Sequence, residues 1–190
     1  MISCGSAYTL GPLLISSLLI EHNYDVKLIQ YFNVMTFEQR KTLIDTFITS
    51  EKQIIGISTT FFLFEPVARR ILKNMVNYIL SKFPNIRFVF GGTLNKNNLE
   101  YLSTIVDFTK PNIFKIFGKD RENEILDLFN RLTGRIIKIP YIFENHSPTI
   151  SNIFKEPFTM PGFLYHLELS RSCRFKCSFC SYNKRGRVEP

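Results

Sequence analysis

Three cysteines lie close together near the end of the 190-residue chain, at Cys173, Cys177 and Cys180. They follow residues 163–170, whose apolar and polar side chains alternate as in a strand. Thiolates are the protein ligands of iron–sulfur clusters, and three cysteines in one irregular segment can bind three corners of a [4Fe-4S] cubane. The spacing therefore predicts a cluster whose fourth iron lacks a protein ligand and is open for chemistry.

Two other interpretations of these cysteines remain open. A structural zinc site needs a fourth ligand, which His166 or Cys4 would have to supply, and neither stands in a paired zinc-finger spacing. Buried thiols that bind no metal are the second alternative. A pair of disulfides is disfavoured because three of the four cysteines crowd into one segment. The iron–sulfur interpretation is preferred.

The cysteine segment resembles the signature of the radical S-adenosylmethionine (SAM) superfamily. That signature has three cysteines separated by three and two residues, with an aromatic residue directly before the last, a position held here by Phe179. The wider segment 167–187 is similar to the subgroup whose barrel follows a cobalamin-binding domain. The resemblance implies that SAM chelates the open iron, that the reduced cluster cleaves SAM to a 5′-deoxyadenosyl radical, and that Phe179 lies beside the adenine.

The residues before this motif have the pattern of a parallel α/β sheet, in which short apolar runs alternate with longer segments of helical period. The predicted strands are 1–4, 26–31, 54–58, 86–90 and a stretch within 106–117. The predicted helices are 13–22, 37–49, 63–83 and 121–132, the last stopped by Gly134. We expect a flavodoxin-like sheet of the cobalamin-binding kind over residues 1–134, with five parallel strands in the order 2-1-3-4-5.

Residues 135–161 lose this periodicity and carry four prolines, which predicts a linker between domains. Residues 162–190 are expected to form the first strand and cluster loop of a radical SAM partial (β/α) barrel. One strand and a loop cannot build a core of their own. We therefore expect the radical SAM domain to be truncated in this sequence and the 190-residue chain by itself to be inactive.

Small and hydroxyl-bearing residues follow two neighbouring predicted strands, at the edge where parallel sheets bind ligands. They are Ser58, Thr59 and Thr60 after the third strand, and Gly91, Gly92 and Thr93 after the fourth. The two groups resemble the second and third elements of cobalamin-binding domains, which implies contact with the nucleotide tail. The first element, Asp-x-His-x-x-Gly, does not occur, so no histidine ligand to cobalt is predicted. Either cobalamin binds without one, or the glycines form a tight turn in a domain that binds no cobalamin.

Composition limits the classes of protein and of partner. With 45% apolar and 14% aromatic residues, the chain can bury a core. The N-terminal apolar stretch 10–20 is too short to cross a bilayer and lacks the features of a signal peptide, which predicts a cytoplasmic protein without a membrane partner. Six cations around the cysteines supply much of the net charge of +8. They suit a solvated surface, a counter-charge for an anionic cluster or, less favoured, a nucleic-acid footprint.

The sequence thus predicts a radical SAM enzyme, with cobalamin as an expected second cofactor, that catalyses methyl transfer or radical rearrangement. Its expected partners are a small-molecule or peptide substrate and an electron donor such as a flavodoxin, a ferredoxin or another reductase. The first alternative is a non-catalytic, truncated iron–sulfur module. The second is a methylthiotransferase, whose family carries three further cysteines where this chain offers only Cys4.

Overall fold

The computed structural model describes residues 10–29, 32, 35–59, 66–92, 96–118 and 121–135. Within these ranges the elements are α1 (Leu10–Glu21), α2 (Phe37–Phe47), β1 (Ile54–Ser58), α3 (Pro66–Lys82), β2 (Arg87–Gly92), α4 (Lys96–Ser103), β3 (Ile113–Phe117) and α5 (Glu122–Thr133). The described part is therefore a mixed α/β structure, as the sequence predicts.

The three described strands form one parallel sheet in the order β1-β2-β3. Ser58 of β1 pairs with Gly91 of β2, and Gly91 pairs in turn with Ile116 of β3. This order agrees with the positions predicted for the third, fourth and fifth strands. Because parallel strands run in the same direction, Ser58, Gly92 and Phe117 bring three strand ends to one edge, which we call the carboxyl edge.

One face of the sheet is covered by α3, with α2 and α4 beside it. Ile55 and Ile57 of β1 share this face with Phe88 and Phe90 of β2, whose rings stack 5.7 Å apart. The helices bury the following side chains against them: Ile44, Ala68, Ile71, Leu72, Met75, Val76, Ile79 and Leu102. Each large apolar side chain buried here stabilises the fold by about 1.5–3 kcal/mol.

The other face carries Arg87 and Val89, because side chains alternate along β2. Arg87 donates a 2.7 Å hydrogen bond from Nη1 to the Leu132 carbonyl near the end of α5, which places α5 on this side of the sheet. Helix α1 packs on α5 through a second apolar cluster that contains Leu18 and Leu126. Helices therefore cover both faces of the sheet, as expected for a parallel α/β domain.

Several helix ends follow the signals in the sequence. Helix α2 begins at a capping box, in which Thr36 accepts from the Gln39 amide while the Gln39 side chain accepts from the Thr36 amide. Helix α3 begins with Pro66, a residue suited to the first helical position. Helix α5 ends at Gly134 in the left-handed conformation, with φ +68°, which confirms the predicted stop.

Three details differ from the sequence-based expectations. The predicted strand 26–31 is not formed over its described residues. Residues 24–28 have no regular structure, and Ile29 forms an isolated bridge. Val26 packs on the α1–α5 cluster whereas Ile29 packs on the main core, so this segment buries its apolar residues on two different clusters. Helix α4 was not predicted from the sequence. Val67, which the helical period places on the apolar side of α3, is 57% exposed.

Three predicted segments fall wholly or almost wholly on residues that the structure does not describe. The predicted strand 1–4, the predicted linker 135–161 apart from its first residue, and the cluster segment 162–190 lie outside the described ranges. Within those ranges, no helix has both the length and the apolar character needed to cross a membrane.

Candidate functional site

The carboxyl edge brings together four of the residues predicted from the sequence to bind a cofactor. Ser58 ends β1 and Thr59 follows it, while Gly91 and Gly92 end the neighbouring strand β2. Ser58, Gly91 and Gly92 are each half-buried, whereas Thr59 is fully buried. The predicted residues Thr60 and Thr93 lie outside the described residues.

Thr59 holds the Gly91 carbonyl oxygen with two hydrogen bonds. Its backbone amide donates at 2.8 Å and its hydroxyl donates at 3.0 Å. A carbonyl oxygen has two lone pairs, so these two bonds occupy both of them. The only proton of the Thr59 hydroxyl is therefore already donated within the protein. The sequence marks Thr59 by its position after a strand, but not by this contact.

Glycine is favoured at position 91 by the close approach of β3. A Cβ atom added to Gly91 would lie 3.0 Å from the backbone oxygen of Ile116, and this oxygen cannot swing aside as a side chain would. Glycine avoids that contact because it has no Cβ atom. Strand packing thus explains this first glycine without any ligand.

Gly92 adopts a backbone conformation that other residues disfavour. Its φ is +127°, and the next strand end repeats this feature, since Gly118 has φ +119°. The Gly118 amide donates a 3.3 Å hydrogen bond to the Gly92 carbonyl. Positive φ favours glycine at both positions, because a residue with a Cβ atom rarely adopts this conformation.

Charged groups near this edge belong to the start of α5. Arg121 and Glu124 form an ion pair across the first turn of the helix, and Arg121 Nε lies 3.3 Å from the position of a Cβ atom on Gly118. Acids at a helix start suit the helix dipole, so the sequence predicts that Asp120, Glu122 and Glu124 act as capping residues here. For Glu124 the structure shows pairing with Arg121 instead, and Arg121, at the cap position, makes no side-chain cap hydrogen bond.

The described groups whose pKa is shifted lie at the opposite edge of the sheet. The Lys82 ammonium and then the Tyr78 hydroxyl lower the pKa of Asp45. The Thr109 hydroxyl and then its amide lower the pKa of Asp107, in the loop before β3. These shifts come from hydrogen bonds at the surface and mark structural contacts.

The predicted cluster ligands Cys173, Cys177 and Cys180, together with Phe179, lie outside the described residues. In the part of the chain that the structure does describe, no group of three or more His, Cys, Asp or Glu side chains is placed to hold a metal. The residues described at the carboxyl edge are thus of two kinds. Ser58, Thr59, Gly91 and Gly92 are small, whereas β3 ends at Phe117 and the Arg121–Glu124 ion pair lies beside Gly118.

Comparison of the chain with protein-family models, with curated protein sequences and with solved structures finds no match.

Proposed function

We propose that this protein is a radical SAM enzyme in which Cys173, Cys177 and Cys180 bind a [4Fe-4S] cluster. The observation that carries the proposal is the spacing of these cysteines, with Phe179 directly before the last and an alternating, strand-like segment before the first. The parallel α/β structure of the preceding residues supports it, because the resembling subgroup places a cobalamin-binding domain of this class before the cluster motif.

The donor set suits an iron–sulfur cluster. Three thiolates in one segment match the ligands that iron–sulfur clusters take, and they leave one iron for an exogenous ligand. When bound, the cluster and SAM supply reductive cleavage of the SAM sulfonium. In this proposal the cysteines hold the iron and Phe179 lies against the adenine of SAM.

Cobalamin is the second proposed cofactor, bound at the carboxyl edge of a flavodoxin-like domain. Ser58 and Gly92 are small and half-buried, so a nucleotide tail would have room to approach the backbone there. Strand packing and positive φ already favour glycine at 91 and 92. What supports cobalamin is therefore the juxtaposition of Ser58 with this glycine pair on adjacent strand ends, and no side chain is assigned as a ligand to cobalt.

The proposed reaction is methyl transfer to, or radical rearrangement of, a small-molecule or peptide substrate. Electrons would come from a flavodoxin, a ferredoxin or another reductase, in the cytoplasm. No catalytic residue beyond the cofactor-binding groups is assigned.

Anaerobic reconstitution of the full chain with iron and sulfide tests the cluster. We expect about four irons and four sulfides per chain, as in a [4Fe-4S] cluster. Replacement of Cys173, Cys177 or Cys180 by Ala should each abolish iron and sulfide binding, because two remaining thiolates do not hold the cubane. Cys4→Ala is the matched control and should keep the full content.

The same reconstituted samples separate the alternatives. Tight binding of zinc without sulfide would overturn the cluster. In a protein that carries the complete radical SAM domain, an intact cluster that forms no 5′-deoxyadenosine from SAM after chemical reduction would instead support the non-catalytic iron–sulfur module.

A further inference from the structure

We propose that Thr59 is a positioning residue, which fixes the peptide between Gly91 and Gly92 and thereby sets how Gly92 presents its backbone at the carboxyl edge. The inference deepens the proposed cobalamin site and rests on it for its functional consequence. Its structural basis is independent of any ligand. Thr59 is fully buried, so it can influence a bound molecule only through the residues that it holds.

Thr59 orients the peptide plane between Gly91 and Gly92. The Gly91 carbonyl and the Gly92 amide belong to one planar unit, so an atom that holds the carbonyl oxygen also orients the amide. Thr59 holds this oxygen from its own amide at 2.8 Å and from its hydroxyl at 3.0 Å. The rotation at Gly92, with φ +127°, starts from a plane whose orientation is set by β1.

The carbonyl group of Gly92 is held by the residue that follows β3. The Gly92 carbonyl accepts from the Gly118 amide at 3.3 Å, and Gly91 pairs with Ile116 of β3. Gly92 is thus held before its φ rotation through Thr59 and after its ψ rotation through Gly118. The positive φ is fixed by contacts from both neighbouring strands.

The hydroxyl of Thr59 distinguishes this residue from others of similar shape. A buried hydroxyl needs a partner, and the Gly91 oxygen provides it. Valine has nearly the same shape but no donor, so Thr59→Val removes one bond to the Gly91 oxygen while the backbone bond remains. Serine keeps the donor. The pair of variants therefore separates the hydrogen bond from the shape of the side chain.

Amide hydrogen exchange in the full chain, with no ligand added, tests the structural part. We expect Thr59→Val to speed exchange at Gly92 and Gly118 about fivefold, the factor that corresponds to one hydrogen bond of about 1 kcal/mol, while β2 residues 87–90 keep their protection. Thr59→Ser should restore most of the protection. Thr104→Val is the matched control, because it removes a hydroxyl that donates to the Tyr101 carbonyl at the exposed end of α4.

Unchanged exchange at Gly92 and Gly118 in Thr59→Val, or an equal rise over the whole sheet, would overturn the inference. If Thr59→Val does not fold, Thr59→Ala removes the same hydroxyl with less bulk and is judged by the same criterion.

Equilibrium binding of aquocobalamin to the same proteins tests the functional part. We expect about a fivefold weaker affinity for Thr59→Val, near wild-type affinity for Thr59→Ser, and unchanged iron content in both. An equal affinity for wild type and Thr59→Val would overturn the functional part. A wild-type protein that binds no aquocobalamin, with exchange still altered by Thr59→Val, would reject the proposed cobalamin site and leave the positioning role of Thr59 standing.

Discussion

The two edges of the sheet are held together by different kinds of contact. At the amino edge, where the strands begin, side chains from the loops bond to neighbouring backbone groups. Asn112 donates to the Ile86 carbonyl at 2.8 Å and to the Pro84 carbonyl at 3.3 Å. Glu51, before β1, accepts from the Asn85 amide before β2 at 3.2 Å. Long polar side chains thus tie the starts of the three strands to one another.

At the carboxyl edge the described contacts join mainly backbone atoms. The Gly118 amide donates to the Gly92 carbonyl, and both the amide and the hydroxyl of Thr59 donate to the Gly91 carbonyl. These contacts come from small residues, of which Thr59 is fully buried and Gly91 and Gly92 are half-buried. Loop side chains thus stabilise the amino edge of this sheet, whereas the contacts described at the carboxyl edge come from Thr59 and from backbone groups of the glycines.

The largest effect expected from the edge comparison is that of Gly92→Ala. A φ of +127° is strained for any residue with a Cβ atom, so we expect the free energy of unfolding to fall by about 2 kcal/mol even without a ligand. Urea denaturation followed by circular dichroism measures this change. The variant therefore cannot test ligand binding by itself, which is why the binding experiment uses Thr59.

Gly11→Ala is the control for Gly92→Ala. Gly11 lies in α1, and an added Cβ atom would meet no atom within 4 Å, so the change should be neutral or stabilising by up to about 1 kcal/mol. Equal stability of Gly92→Ala and wild type would show that the strand end is free to relax. The contacts through Thr59 and Gly118 would then not fix the positive φ of Gly92.

Local patterns in the sequence predict most of the described elements. The β-branched run 54–58 and the long amphipathic segment 63–83 are strong signals, and their strand and helix are present. The run 26–31 misleads, because Val26 and Ile29 pack on two separate clusters, and the described residues 26–29 form no more than a bridge at Ile29. Helix α4 has only eight residues, too few to show a clear period.

The candidate site is less predictable, because its determinants come from different strands. The sequence suggests that Ser58 and Gly91 share an edge, and the register confirms that they are partners. The reason for Gly91 is the Ile116 oxygen, and the reason for Thr59 is the Gly91 oxygen. Both contacts depend on the register between strands, which one sequence does not specify.

A smaller loss is expected at the amino edge from Asn112→Ala. The change removes the donor from the Ile86 and Pro84 carbonyls, and we expect a loss of about 1 kcal/mol in urea denaturation. Asn77→Ala on the exposed side of α3 is the matched control and should be neutral or slightly stabilising, since Ala favours helix. If Asn112→Ala is as stable as wild type, side-chain bonds do not hold this edge. The contrast between the two edges would then fail.

The smallest expected effect is on the pH dependence of the free energy of unfolding. It comes from the contact between Asp45 of α2 and Lys82 of α3. Asp45 accepts from Lys82 at 2.7 Å and from the Tyr78 hydroxyl at 2.8 Å, and these bonds lower the pKa of Asp45 below its ordinary value of 3.8. The unfolded chain therefore binds a proton at a higher pH than the folded protein does. The contribution of Asp45 to stability is complete above about pH 4 and is lost as pH falls toward the lowered pKa.

We expect Asp45→Asn to flatten the decline of urea stability between pH 4 and pH 2, with Asp127→Asn on α5 as the control for the loss of one charge. A decline as steep as that of wild type would show that the contact between Asp45 and Lys82 does not hold in solution. The effect should be small, because water screens the pair of Asp45 and Lys82, whose side chains are 37% and 42% accessible.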